Sequence, residues 1–194
     1  MQCLWQPASL RGIFRPAMPI VEVMALSRRT LTDSLVDRRL VARGADDVWV
    51  VSIRNEGLEP VGLAPDPRHL LLEFDDLDGA CVAERDRGQC GWLDDERKRI
   101  LASLIQPGQA RQIVEHVLRA QARTRRVLFV AQCEAGQSRS GAVALFACEV
   151  AGLDTEAFRR ANPQVQPNTY VLLMLREALA RMRDQEASGT EGTR

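Results

Sequence analysis

Short, mostly apolar runs predict four strands in this chain. They cover 20–26, 48–53, 69–74 and 126–131. Continuous runs rich in Val, Ile and Leu are typical of strands buried on both faces of a parallel sheet, whereas half-exposed strands alternate apolar and polar residues. No run approaches the roughly 18–20 apolar residues that a membrane-spanning helix needs.

Apolar residues at helical spacing predict the elements between and after these strands. The predicted helices are 30–42, 95–104, 107–123, 140–150, 155–161 and 168–183. The Pro- and Gly-rich stretch 55–68 predicts a loop, and 79–94 has no regular pattern. Because strands and helices alternate, we expect an α/β fold with a mainly parallel central sheet flanked by helices on both faces.

The chain has 194 residues, which predicts one domain. We expect this domain at 19–183, with a flexible N-terminal extension at 1–18 and a polar, disordered tail at 184–194. The 26 basic and 26 acidic side chains cancel, so neither nucleic acid nor a membrane surface is an expected partner. Five irregularly spaced cysteines and the lack of a convincing secretory signal favour a reducing, cytoplasmic compartment.

The residues most suggestive of chemistry follow the last predicted strand. There a loop begins with Cys133, contains Gly136 and leads through Arg139 into a helix. Such a loop turns backbone N–H groups inward, and the helix adds its positive dipole end, so together they form an anion site. Glycine gives the backbone the freedom that a tight cradle needs, and a guanidinium matches two phosphate oxygens. The same positive field favours the thiolate form of the cysteine, which is a nucleophile.

A second Cys-x5-Arg match runs from Cys81 to Arg87. It contains no glycine, and no convincing strand leads into it, so we interpret it as chance. The histidines His69 and His116 have no cysteine or carboxylate neighbours at metal-ligand spacing, and the sequence therefore predicts no metal site.

The stretch from Cys133 to Ser140, Cys-Glu-Ala-Gly-Gln-Ser-Arg-Ser, is similar to the Cys-x-Ala-Gly-x-Ser-Arg-Ser signature of cysteine-dependent tyrosine and dual-specificity phosphatases. The chain more closely resembles a group of bacterial phosphatase-like proteins of that superfamily. These proteins share a strand ending like Phe74-Asp75-Asp76-Leu77 and a Pro-Asn element, here Pro167-Asn168. The resemblance covers roughly residues 20–180 and implies phosphoester hydrolysis without a cofactor.

The resemblance also implies roles for individual residues of the loop. Cys133 attacks phosphorus and forms a cysteinyl-phosphate, Arg139 holds the phosphoryl oxygens, and Ser140 aids departure of the thiolate. The expected phosphate-binding residues are Glu134, Ala135, Gly136, Gln137, Ser138 and Arg139.

A leaving oxygen needs a proton, so the reaction also requires a general acid near the loop. Asp75, Asp76 and Asp78 follow a predicted core strand and therefore lie at the sheet edge where α/β proteins bind ligands. The resemblance favours Asp76, with Asp75 as the next choice. The interval from Asp76 to Cys133 is longer than in compact dual-specificity phosphatases. We expect its extra segment, 79–108, to form either a lid or substrate wall or a solvated surface loop.

One residue departs from the family pattern: Gln132 stands where a histidine usually precedes the nucleophile. Glutamine carries no positive charge, so a phosphate-binding pseudophosphatase or regulatory module is the alternative to an active enzyme. A sulfurtransferase is a weaker alternative because of the residue composition of the loop. An arsenate reductase is also weaker, because the loop begins at residue 133 rather than near the N-terminus. Because the loop has no basic residue before Arg139 and carries the acidic Glu134, we expect a phosphorylated protein or a small phosphomonoester as substrate, rather than a highly phosphorylated inositol lipid.

Overall fold

The computed structural model describes residues 20–36, 46–77 and 101–190. The strands in these ranges are β1 (Ile20–Ser27), β2 (Asp47–Arg54), β3 (His69–Glu73) and β4 (Val127–Cys133). The helices are α1 (Arg28–Val36), α2 (Pro107–Gln121), α3 (Arg139–Ala151), α4 (Thr155–Ala161) and α5 (Thr169–Thr190).

The four strands form one parallel sheet in the order β1-β4-β2-β3. Strand β4 is central, and every residue in it is buried, as its continuous apolar run predicts. Because all strands run in the same direction, their carboxyl ends share one edge of the sheet. The predicted α/β fold is confirmed, and the end of β4 lies in the middle of the edge where ligands bind in such folds.

Helices cover both faces of the sheet. The larger core packs α2, α3 and α5 on one face, and a smaller cluster with α1 lies on the other. Residues of β4 alternate between the two, with Phe129 and Cys133 in the larger core and Leu128 and Val130 in the smaller cluster. Cys133 therefore faces α3, and Gln132, one position earlier, faces the opposite side of the sheet.

Helix α2 is hydrogen-bonded to β3, the strand that precedes Asp75 and Asp76. Proline occupies its first turn, and the Gln109 side chain accepts a hydrogen bond from Gln106 N at 2.8 Å. The same Gln109 side chain donates to the carbonyl of Glu73 at 2.8 Å. In addition, Asp75 N donates to Ser103 O at 2.7 Å, so the segment after β3 is held against the approach to α2.

Most predicted boundaries shift by one or two residues; β4, predicted at 126–131, continues to Cys133, and two helix boundaries are wrong. Helix α1 begins at Arg28 rather than residue 30, because the Ser27 hydroxyl accepts a hydrogen bond from Thr30 N at 3.1 Å and caps the helix. Helix α5 continues to Thr190, so residues 184–190 are helical rather than part of a disordered tail. Asp184 to Ala187 contain no helix breaker, and favourable residues such as Gln, Glu and Ala let the helix run on past Arg183.

Some expectations concern residues outside the described ranges. These are the extension at 1–18, the end of the predicted 30–42 helix, Asp78, the chance match at Cys81–Arg87, most of 79–108, and residues 191–194. Among the helices that the structure describes, none combines the length and apolar character needed to cross a bilayer.

Candidate active site

The loop between β4 and α3 is held in place by the end of β1. Ser27 lies opposite Cys133 in the parallel register, and Arg28 N donates to the carbonyl of Glu134 at 3.2 Å. Gly136 adopts a φ of 75°. A Cβ at this position would contact the Ser27 backbone nitrogen and lie 2.6 Å from the carbonyl carbon of Leu26. The loop path therefore requires glycine for both its backbone angle and its closeness to β1.

The Cys133 thiol is buried at the start of this loop. Its Sγ lies 3.0 Å from the hydroxyl of Ser140, which belongs to the first turn of α3 and is itself fully buried. The N-terminus of α3 thus adjoins the thiol and brings the positive end of the helix dipole to the loop. The other described free cysteine, Cys148, differs because it lies deep in α3, where burial raises the pKa of its thiol to about 12. Cys148 is therefore a core residue.

The guanidinium of Arg139 is buried beneath the loop, with 3% of its side chain exposed. Its Nη1 donates to the carbonyl of Phe74 at 2.6 Å, and its Nε lies 3.7 Å from Oδ2 of Asp76. In the part of the chain that the structure describes, no acceptor is within hydrogen-bond distance of this Nε. A buried N–H without an acceptor costs free energy, so this position favours a bound anion.

Asp76 lies against the loop, although it is far from the loop in sequence. Its Oδ1 accepts hydrogen bonds from the Ser138 hydroxyl at 2.6 Å and from the Asn168 side chain at 2.8 Å. About a third of the Asp76 side chain remains exposed, so solvent reaches the carboxylate. The structure therefore brings together Cys133, Ser140, Arg139 and Asp76, the four residues expected to be catalytic.

Asn168 is a site residue to which the sequence analysis gave no role. Its side-chain amide donates to Asp76 Oδ1 and, at 2.9 Å, to the carbonyl of Leu77. Its own Oδ1 accepts from Val171 N at 2.9 Å at the start of α5, while its backbone N–H donates to Ser138 O at 3.1 Å. The buried Asn168 thus contacts the Asp76-Leu77 segment, the loop that begins with Cys133, and helix α5. Its sequence signals are the Pro-Asn element of the resemblance and its position at the start of a helical run, which predicts a cap.

The outer surface of the loop carries both signs of charge. Glu134, Ala135 and Gln137 are exposed, and the Glu134 carboxylate lies 4.0 Å from the guanidinium of Arg28. That the backbone N–H groups of 134–138 bind phosphate stays a prediction. Within the described ranges, no group of three histidine, cysteine, aspartate or glutamate residues is arranged to hold a metal ion.

Comparison with known proteins gives only structural matches. No family model and no curated protein matches the chain. PTPMT1 in complex with PI(5)P is a similar solved structure, with 18% identity, a TM-score of 0.46, and coverage of 85% of this chain and 94% of that one. Human DUSP28 is similar too, with 17% identity, a TM-score of 0.42, and coverage of 88% and 96%. Likeness at this level does not extend to family, activity or substrate.

Proposed function

We propose that the protein is a phosphomonoester hydrolase, similar to tyrosine and dual-specificity phosphatases, that acts through a cysteinyl-phosphate intermediate. The observation that carries this proposal is the buried guanidinium of Arg139, whose Nε has no hydrogen-bond acceptor among the described residues, in the first turn of the helix that follows the Cys133 loop. A phosphoryl oxygen is an acceptor of the right charge for this N–H, and the dipole of α3 favours the same ligand.

In the first step, Sγ of Cys133 attacks phosphorus as the thiolate. The S–P bond forms while the bond from phosphorus to the leaving oxygen breaks, and that oxygen takes a proton from the carboxyl group of Asp76. The hydrogen bonds from Ser138 and Asn168 hold Asp76 beside the loop, which suits it to protonate a group leaving from the loop.

In the second step, a water molecule attacks the phosphorus of the cysteinyl-phosphate. The Asp76 carboxylate takes a proton from this water, the S–P bond breaks, and the electron pair returns to sulfur. The Ser140 hydroxyl, 3.0 Å from Sγ, stabilises the departing thiolate by a hydrogen bond. Inorganic phosphate is released, and the free thiolate is regenerated.

In both transition states, negative charge spreads over the oxygens in the plane of the phosphoryl group. Arg139 is suited to stabilise this charge because its guanidinium is already fixed by the bond to Phe74 O and needs little reorganisation. The substrate we favour is a phosphorylated protein residue or a small phosphomonoester. Glu134 at the exposed surface of the loop disfavours substrates that carry several phosphate groups.

Hydrolysis of an aryl phosphate in reducing buffer tests this proposal. We expect turnover by the wild type, none by Cys133→Ser, and near wild-type turnover by Cys148→Ala, which changes the buried cysteine in the core of α3. Turnover that persists in Cys133→Ser would rule out the cysteinyl mechanism. Tight vanadate binding without any wild-type turnover would instead support the alternative, a phosphate-binding module, for which Gln132 in place of histidine is the motivating feature.

A further inference from the structure

A buried polar pair lies directly behind the nucleophile. The Ser52 hydroxyl donates a hydrogen bond of 2.5 Å to Oε1 of Gln132, the residue before Cys133. Both side chains are almost fully buried, at 5% and 2% exposure. They lie on the sheet face that carries the smaller apolar cluster, among neighbours such as Val50 and Val130. In such surroundings a polar side chain that lost its partner would carry a large penalty, so the pair fixes the conformation of both residues.

The pair occupies a particular position in the sheet. Ser52 and Gln132 are the last residues paired between β2 and β4, so their hydrogen bond closes the end of that ladder. On the other side of β4, pairing with β1 extends one residue further, to Ser27 and Cys133. The end of the nucleophile strand is therefore held by backbone pairing towards β1 and by a side-chain pair towards β2.

Strand β2 also positions the candidate acid. It pairs with β3 up to Arg54 and Glu73, and the carbonyl of Arg54 accepts a hydrogen bond of 3.1 Å from Phe74 N, two residues before Asp76. Because β2 lies between β3 and β4, it connects the strand that leads to the acid with the strand that ends at the nucleophile. Ser52 lies in this connecting strand, and its side chain contacts the nucleophile strand where that strand ends.

We propose that Ser52 is a positioning residue, which acts through Gln132 to set the alignment of Cys133 relative to Asp76. This role rests on the proposed function. It also gives Gln132 a function of its own, because the amide accepts the Ser52 hydroxyl and anchors the strand without a positive charge. Attack by sulfur and protonation of the leaving oxygen occur in one step, so that step is sensitive to small changes in this alignment.

The test compares substrates that differ in their need for the acid. Ser52→Ala should lower kcat by about tenfold or more for an aryl phosphate with a poor leaving group, because misplacement of reacting groups has effects of this size. The loss should be clearly smaller for an aryl phosphate with a good leaving group, whose departing oxygen needs little help from Asp76. The inhibition constant for inorganic phosphate should change little, because phosphate binding depends on the loop and Arg139. Ser52→Thr, which keeps the hydroxyl, should restore the rate.

The control is Val50→Ala, which removes volume from the same apolar cluster but leaves the hydrogen bond intact. It should lower stability without changing the leaving-group dependence. If Ser52→Ala fails to fold, the double variant Ser52→Ala/Gln132→Leu replaces the polar pair with an apolar one and should fold, but with the same slow rate. Wild-type kinetics in either folded variant would contradict the role of Ser52 but would leave the proposed function in place. Absence of turnover in the wild type would contradict the proposed function, and this role with it.

Discussion

The Cys133 thiol and the Ser140 hydroxyl lie 3.0 Å apart, both buried, across the two ends of one loop. The thiol ends β4 and the hydroxyl lies in the first turn of α3, so the loop folds back far enough for its two ends to meet. A hydroxyl at this distance can donate to sulfur whenever sulfur carries a negative charge. This favours the step in which the thiolate leaves phosphorus.

Ser140→Ala should therefore slow breakdown of the cysteinyl-phosphate more than its formation. A hydrogen bond to a charged group contributes about 1.5–3 kcal/mol. Its loss in the transition state should therefore lower kcat by roughly 10–100-fold. Rapid mixing with an aryl phosphate should show a burst of phenol release close to one per protein molecule, followed by slow turnover. Ser140→Thr should remain close to wild type. An unchanged kcat in Ser140→Ala without a burst would show that the hydroxyl serves only to pack the helix.

Asp76→Asn should lower kcat by about 10²–10⁴-fold for substrates with poor leaving groups, which is the range for loss of general acid catalysis. The amide keeps a carbonyl oxygen to accept from Ser138 and Asn168, so the segment should stay in place. Rates measured across a series of aryl phosphates should therefore become more dependent on the leaving group. Asp75→Asn is the matched control, and a larger effect there would assign the acid to Asp75.

Parts of the site could be predicted from the sequence because their signals are local. The apolar run 126–131 predicts a buried strand, which the structure extends to Cys133, and the glycine-containing loop before an apolar helix predicts an anion site. The choice between Asp75 and Asp76 is different, because the two are neighbours in one motif. The contact that distinguishes them joins Asp76 to Ser138 across 62 residues, and no local pattern encodes it.

The same reason explains why the contacts of Asn168 and Ser52 could not be predicted from the sequence. Asn168 meets Asp76 across 92 residues, and Ser52 meets Gln132 across 80. An asparagine before a helix does not predict a contact with a residue far along the chain, and neither does a serine within an apolar strand. The start of α1 was missed for a more local reason: Ser27 ends β1 and also caps the helix, so the chain passes from strand to helix without a connecting loop.

Gly136→Ala should abolish turnover and lower stability, because the new Cβ meets backbone atoms of Leu26 and Ser27 that cannot move independently of the sheet. Gly57→Ala is a close control: Gly57 has a φ of 77°, but no atom of the described residues lies within 4 Å of the place that its new Cβ would take. It should show only the cost of the backbone angle, about 1 kcal/mol, with activity retained. Urea denaturation and turnover of both variants check this. Equal losses at the two positions would show that the contact with β1 does not matter.

His116 should make the protein less stable in mild acid. The side chain lies in α2, fully buried, with ring centroids 4.9 Å from Trp49 and 6.2 Å from Phe129. Burial, assisted by the positive charge of Arg119, lowers the pKa of His116 from 6.5 to about 4. The unfolded chain therefore takes up a proton at a higher pH than the folded protein does. The contribution to stability is complete above pH 6.5 and is lost as the pH falls towards 4.

A shift of this size corresponds to a loss on the order of 3 kcal/mol across that interval. Urea denaturation at several values between about pH 7 and pH 4 should show it as a fall in the free energy of unfolding. His116→Leu keeps an apolar side chain among Trp49 and Phe129 and should have a flatter pH dependence. His69→Gln, which changes the other histidine, is the matched control. If His116→Leu and the wild type fall in parallel, protonation of this buried ring is not what destabilises the fold in acid.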